Sequence, residues 1–166
     1  MRKAVTTEHL DPSNLIDFLE DLADDHSWSY ERLGLDEIIL ECPGSWCDYK
    51  LAFMWIGDMQ TLGISASFQM HISAKARISI YELLSRINEQ LWIGHFDLSD
   101  DGMPTYRYTL LAGTSESEWH NLVEEIIQIA IGECERFFPA FQFAIWGGKN
   151  PSEALTSAML DTEGEA

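Results

Sequence analysis

The chain is poor in positive charge. Ten lysines and arginines stand against 28 aspartates and glutamates, a formal net charge of −18 over 166 residues. A protein that binds nucleic acid or an anionic membrane surface needs a basic patch to neutralise phosphates. Here the cations are scattered, and within the body of the chain only Lys75 and Arg77 stand close together. Neither nucleic acid nor membrane is therefore expected as a partner. Acidity of this size keeps a chain soluble and self-repelling; its sharper consequence, steering toward a basic partner, is the lesser reading. Cysteine is also scarce. Cys42, Cys47 and Cys134 are few and odd in number, which fits a reducing cytoplasm better than a disulfide scaffold. No apolar run approaches the roughly 18 residues of a membrane-spanning helix. Arg2 and Lys3 are followed by Glu8, Asp11 and Pro12 rather than an apolar stretch, so a secretory leader is not expected.

What is present is material for a core. The hydrophobic fraction is 46%, with six tryptophans, and a chain of this length buries about 70% of its unfolded surface. The expected organisation is one domain over residues 11–160, between a flexible N-terminus at 1–10 and an acidic tail at 161–166. A helix should start near Asp11, with Pro12 in its first position, where a missing N–H costs nothing. Leu15, Phe18, Leu19, Leu22 and His26 fall on one face of it. Glu20, Asp21, Asp24 and Asp25 crowd its C-terminal half, against the helix dipole, so that end should fray or meet a cation.

Strand patterns follow. Trp28, Tyr30 and Arg32 alternate with polar residues; residues 36–42 carry Ile38, Ile39 and Leu40; Pro43, Gly44 and Ser45 make a turn. Tyr49, Leu51, Phe53 and Trp55 share one face, and Ala52 and Met54 make the opposite face apolar too. Burial on both faces points to a second subunit, and this is the residue-level reason to expect a homodimer. Leu62 to Ile72 alternates apolar and polar throughout, the period of a half-buried strand. The period then changes. Ser79 and Glu82 fit a capping box ahead of Ile80, Leu83, Leu84, Ile87 and Leu91, and Gly94 should end that helix. Phe96 and Leu98, the turn at Asp100, Asp101 and Gly102, and Tyr106, Tyr108 and Leu110 read as a hairpin. Ser115 and Glu118 form a second capping box for the longest helix, which Pro139 should interrupt and Gly147 and Gly148 should stop; Asn150, Pro151 and Glu153 open a last helix. The order predicts an α+β domain: a mostly antiparallel sheet of about five strands with helices packed on it.

Catalytic signatures are missing. There is no Gly-x-Ser-x-Gly elbow and no Walker loop. Cys42 and Cys47 flank the Pro43–Gly44 turn without the second ligand pair of structural zinc. His95 and Asp97 lie two apart on one strand face and could form a base and its orienting acid, but no nucleophile accompanies them. No enzyme activity, cofactor or metal is expected. The alternative reading, a small-molecule or metal-binding sensor, rests on those two pairs.

Trp92-Ile93-Gly94-His95-Phe96-Asp97-Leu98, then Asp101-Gly102-x-Pro and Tyr106-Arg107-Tyr108, resemble the YbjN family. Glu135 to Gln142 and Trp146-Gly147-Gly148 resemble its α-proteobacterial branch. The resemblance covers about residues 10–155. It implies a fold like that of type III secretion chaperones and a non-enzymatic, cytoplasmic role in bacterial sensory transduction or stress regulation, with binding of a protein partner and often dimerisation. Trp92, Asp97, Arg107 and Trp146, drawn from the matching segments, are the candidate protein-binding residues. Packing of the second helix and hairpin onto the C-terminal segment is the competing role for them, and the sequence alone leans toward it.

Overall fold

A computed structural model describes residues 12–111 and 116–163. Among the described residues, six strands form one antiparallel sheet in the order β1-β2-β3-β4-β6-β5. These are β1 (Ser29–Arg32), β2 (Glu37–Pro43), β3 (Asp48–Ile56), β4 (Thr61–Phe68), β5 (His95–Leu98) and β6 (Pro104–Leu111). The helices are α1 (Pro12–His26), α2 (Arg77–Asn88), α3 (Glu116–Ile145) and α4 (Pro151–Glu163). The α+β reading holds, with one strand more than the pattern suggested.

Strand alternation sends one set of side chains to each face. On the inner face Tyr30, Leu40, Leu51, Ala66, Tyr106 and Phe96 lie side by side across the six strands. Helix α3 crosses this face. Trp119 is fully buried against Trp55 and donates its indole N–H to the Leu111 carbonyl at 3.2 Å, while Phe137 and Phe141 reach Phe96. α1 packs on β1 and β2 and touches α3 through Phe18 stacked on His120, α2 packs beside α3, and α4 packs mainly on α3 and α2.

Several local expectations are corrected. The strand expected to run to Ile72 ends at Phe68. Burial still alternates at Met70 and Ile72, but the facing strands offer no further ladder partners there. The capping box at Ser79 does not form, because α2 begins at Arg77 behind Ala76, which makes no side-chain cap; Glu82 pairs with Arg86 at 3.0 Å instead. That helix ends at Asn88, and Gly94 shapes the following turn. Pro139 does not interrupt α3. Proline removes one helical hydrogen bond, but the buried rings of Phe137, Phe138 and Phe141 hold both sides of it against Phe68 and Phe96. The helix stops where glycine predicted: Gly147 donates its N–H to the Gln142 carbonyl, and Gly148 takes a φ of +62°. Asn150 and Glu153 cap α4 reciprocally, at 3.0 and 3.3 Å. That helix runs to Glu163, into the stretch expected as tail. Ser115 and the N-terminal ten residues lie outside the described residues.

Among the described residues, no helix covers the outer face of the sheet. Glu31, Ile39, Ala52, Ser65, Arg107 and His95 form one row across it. Met54 is half exposed and Ala52 partly buried, so within one chain only the inner face of β3 is buried.

Candidate functional site

The turn between α2 and β5 holds the most exposed tryptophan of the described residues. Trp92 is 99% exposed and its neighbour Ile93 42%. Burying an aromatic side chain of this size is normally worth several kcal/mol, roughly 3–5 when read by truncation, so its exposure requires a restraint. Three contacts provide one. Asn88, the last residue of α2, accepts from the Phe96 N–H at 2.7 Å and donates to the Phe96 carbonyl at 3.0 Å. The Tyr106 hydroxyl donates to the Ile93 carbonyl at 2.7 Å. Gly94 takes a φ of +69°, and a Cβ there would collide with the Tyr106 hydroxyl and lie 2.8 Å from the Arg107 carbonyl. The turn is thus tied at its start, middle and end, and the indole is held away from the core.

Tyr106 anchors this arrangement from β6. Its ring is fully buried, edge-on to Phe96 with centroids 5.5 Å apart. Burial, then the nearby charge of Glu133, pushes its phenol up to about 12, so it remains a donor at neutral pH.

Beside the turn, on the outer face, His95 pairs across strands with Arg107. Arg107 Nε lies 3.7 Å from Asp97 Oδ2, and Asp97 Oδ1 accepts from the Leu98 N–H at 2.8 Å. His95 and Asp97 share a face, as their spacing predicted, but the carboxylate is engaged by Arg107 and its own strand. No hydrogen bond joins it to the imidazole among the described residues.

The four candidate residues are therefore divided. Trp92, Asp97 and Arg107 belong to one neighbourhood along β5 and β6. Trp146 stands after the last turn of α3, 68% exposed. Among the described residues no ring contact or side-chain hydrogen bond joins Trp146 to the others. Core packing, the role toward which the sequence leaned, is ruled out for both tryptophans by their exposure.

The cysteine pair behind the sensor reading is also divided. Cys42 is buried in the core, its thiol pushed up to about 12 by desolvation, while Cys47 is partly exposed. Among the described residues, no three or more histidine, cysteine or acidic side chains come together as a metal site.

The family profile named YbjN, described as "Putative bacterial sensory transduction regulator", matches residues 15–143. The chain belongs to the YbjN family. The matched stretch contains Trp92, Asp97 and Arg107 and ends before Trp146. A solved structure described as "YbjN, a putative transcription regulator from E. coli" is similar at 19% identity, covering 72% of this chain and 90% of its own, with a TM-score of 0.44. No protein of curated function matched. Among the described residues, no helix is long and apolar enough to cross a membrane.

The residues that restrain the turn were missed in the sequence. In the sequence Gly94 reads as a helix stop and Tyr106 as a strand member, and nothing singles out Asn88. The legible signal was Gly94 directly after Trp92-Ile93, since glycine commonly marks a left-handed turn.

Proposed function

We propose that this YbjN-family chain is a non-enzymatic, cytoplasmic regulatory or chaperone-like module that binds a protein partner through Trp92. The supporting observation is a nearly fully exposed indole on a turn restrained by Asn88, Gly94 and Tyr106. Tryptophan is enriched among residues that dominate binding energy, and a contact held ready before binding loses less freedom when it binds. Ile93 enlarges the apolar contact. The Arg107–Asp97 pair gives the rim charges that fix orientation and exclude wrong partners. A second copy of the chain is one partner of this kind, which would make the protein a homodimer.

The test is in-cell crosslinking from a photoreactive phenylalanine analogue at position 92, with Leu35, 75% exposed on the β1–β2 connection, as the control position. The proposal predicts a discrete adduct from position 92 and none from position 35. Mass spectrometry of the adduct separates a self-crosslink from a different protein. No adduct at position 92, or the same adducts from both positions, would contradict it.

A further inference from the structure

A groove lies between α1 and α3, away from the Trp92 turn. This groove, about 440 Å³ in volume, is lined by Leu22, His26 and Trp28 on one side and Glu124, Glu125 and Ile127 on the other. Its aromatic wall is built by the end of α1. Ser27 takes a left-handed φ of 58°, and the Trp28 N–H returns to the Ala23 carbonyl at 2.8 Å. The indole therefore folds back onto His26, with ring centroids 4.5 Å apart and 23° between planes. Below it, Phe18 stacks on His120 of α3 at 3.9 Å, closing that end of the helix pair.

The groove has a strongly one-sided charge. No lysine or arginine lines it. Among the described residues, neither Glu124 nor Glu125 has an ion-pair partner. The carbonyl end of a helix is itself partly negative and is normally matched by cations, yet Asp21, Asp24 and Asp25 crowd the last turns of α1 ahead of its terminal His26. Among the described residues, Arg32 contacts Asp17 at 2.8 Å and Glu20 at 3.2 Å, and no lysine or arginine pairs with Asp21, Asp24 or Asp25. Their field reaches Tyr30, whose phenol is pushed up by Asp24 first, then by desolvation, Glu20 and Asp21.

We propose that the α1–α3 groove receives an arginine-bearing, amphipathic segment of a protein partner. Apolar side chains of that segment would rest on Leu22, the part-exposed apolar residue of the groove. A guanidinium would lie on the face of the Trp28 indole and fork to Glu124 or Glu125. Arginine suits this better than lysine, because its planar, weakly hydrated head both stacks on aromatic rings and pairs bidentately with carboxylates. Charge complementarity chooses the occupant: a second copy of this chain, at −18, has little basic surface to offer. The inference is independent of the role of Trp92.

The probe is a short fluorescent peptide of alternating arginine and leucine, titrated into the full chain at low salt and read by anisotropy. Saturable binding is expected. The Glu124→Gln/Glu125→Gln double variant should weaken it about tenfold or more, as loss of a desolvated charge contact does, and Trp28→Leu should weaken it as well. Glu31→Gln/Glu37→Gln removes the same charge from the open sheet face and should leave binding within about twofold if the contact is local rather than a net-charge effect. Trp92→Ala should not change it. Absence of saturable binding, equal weakening by the two double variants, or loss of binding in Trp92→Ala would each overturn the proposal.

Discussion

Trp92 and Trp119 are the same side chain under opposite conditions. Trp119 is completely buried, bonded through its N–H and edge-on to Trp55 at 5.6 Å; Trp92 stands almost wholly in solvent. Both positions are well determined, but by different means. Trp119 is held by its own contacts with the sheet. Trp92 makes no ring contact or side-chain hydrogen bond among the described residues, and its neighbours hold its backbone instead. Burial explains the first through stability. The proposed partner contact would account for the second, since tryptophan is enriched among residues that dominate binding energy.

That contrast can be broken in graded steps. Trp119→Ala should cost the most, about 3–5 kcal/mol in chemical denaturation, as for other buried aromatic truncations. Gly94→Ala comes next, at about 1–3 kcal/mol, because a side chain must enter a left-handed backbone and displace the Tyr106 hydroxyl. Tyr106→Phe should cost about 1 kcal/mol for the lost bond to the Ile93 carbonyl. It should also loosen the turn, seen as faster amide exchange at residues 92–96, while the rest of the sheet keeps its protection. Trp92→Ala should fall within about 0.5 kcal/mol of the parent, as exposed substitutions do. A large loss from Trp92→Ala would move this residue into the same class as Trp119.

Alkaline titration sharpens the role of Tyr106. Its folded phenol is raised to about 12 from an ordinary value of 10.0. Between those values the unfolded chain has released the proton and the folded chain retains it. Stability is therefore full below about pH 10 and is lost as pH rises toward the folded value. Urea denaturation across this range should show a steeper decline for the parent than for Tyr106→Phe. Equal slopes would remove Tyr106 as a buried donor. Cys42, raised to about 12 by burial, contributes a loss of the same sign to both proteins from a lower starting pH.

The sheet was legible in the sequence because each strand writes its inner face at every second residue. Tyr49, Leu51, Phe53 and Trp55 all proved buried, as did Leu62, Ile64, Ala66 and Phe68. The end of β4 was not legible, because Met70 and Ile72 keep the same alternation after the ladder has lost its partners. Pro139 misled for a related reason: local preference argued for a break, and packing of distant rings decided otherwise. Ser79 had the right chemistry for a cap, but the helix had already begun at Arg77. The acidic end of α1 invites fraying or a cation; the helix holds to His26, and among the described residues a cation reaches Glu20 but not Asp21, Asp24 or Asp25. That the cation is Arg32, and that it satisfies only part of the need, depends on how β1 returns beside α1.

The candidate site was half legible. Motif resemblance brought Trp92, Asp97 and Arg107 forward together, and the fold places them in one neighbourhood. It placed Trp146 with them although that residue follows a different helix. Hydrophobicity alone leaned toward core packing for both tryptophans, since nothing in the composition of Trp92-Ile93 marks it as exposed. The α1–α3 groove was not legible at all: Trp28 reads as a strand residue, no pattern marks Glu124, and only packing joins them.

The most direct measurement is a paired affinity capture from lysate of the native cells, using tagged parent chain and tagged Trp92→Ala, with thermal melts of both eluates. The account predicts a stoichiometric partner with the parent and its loss from Trp92→Ala, at matching melting temperatures for the two chains themselves. Retention of the same partner at the same yield by Trp92→Ala would contradict it.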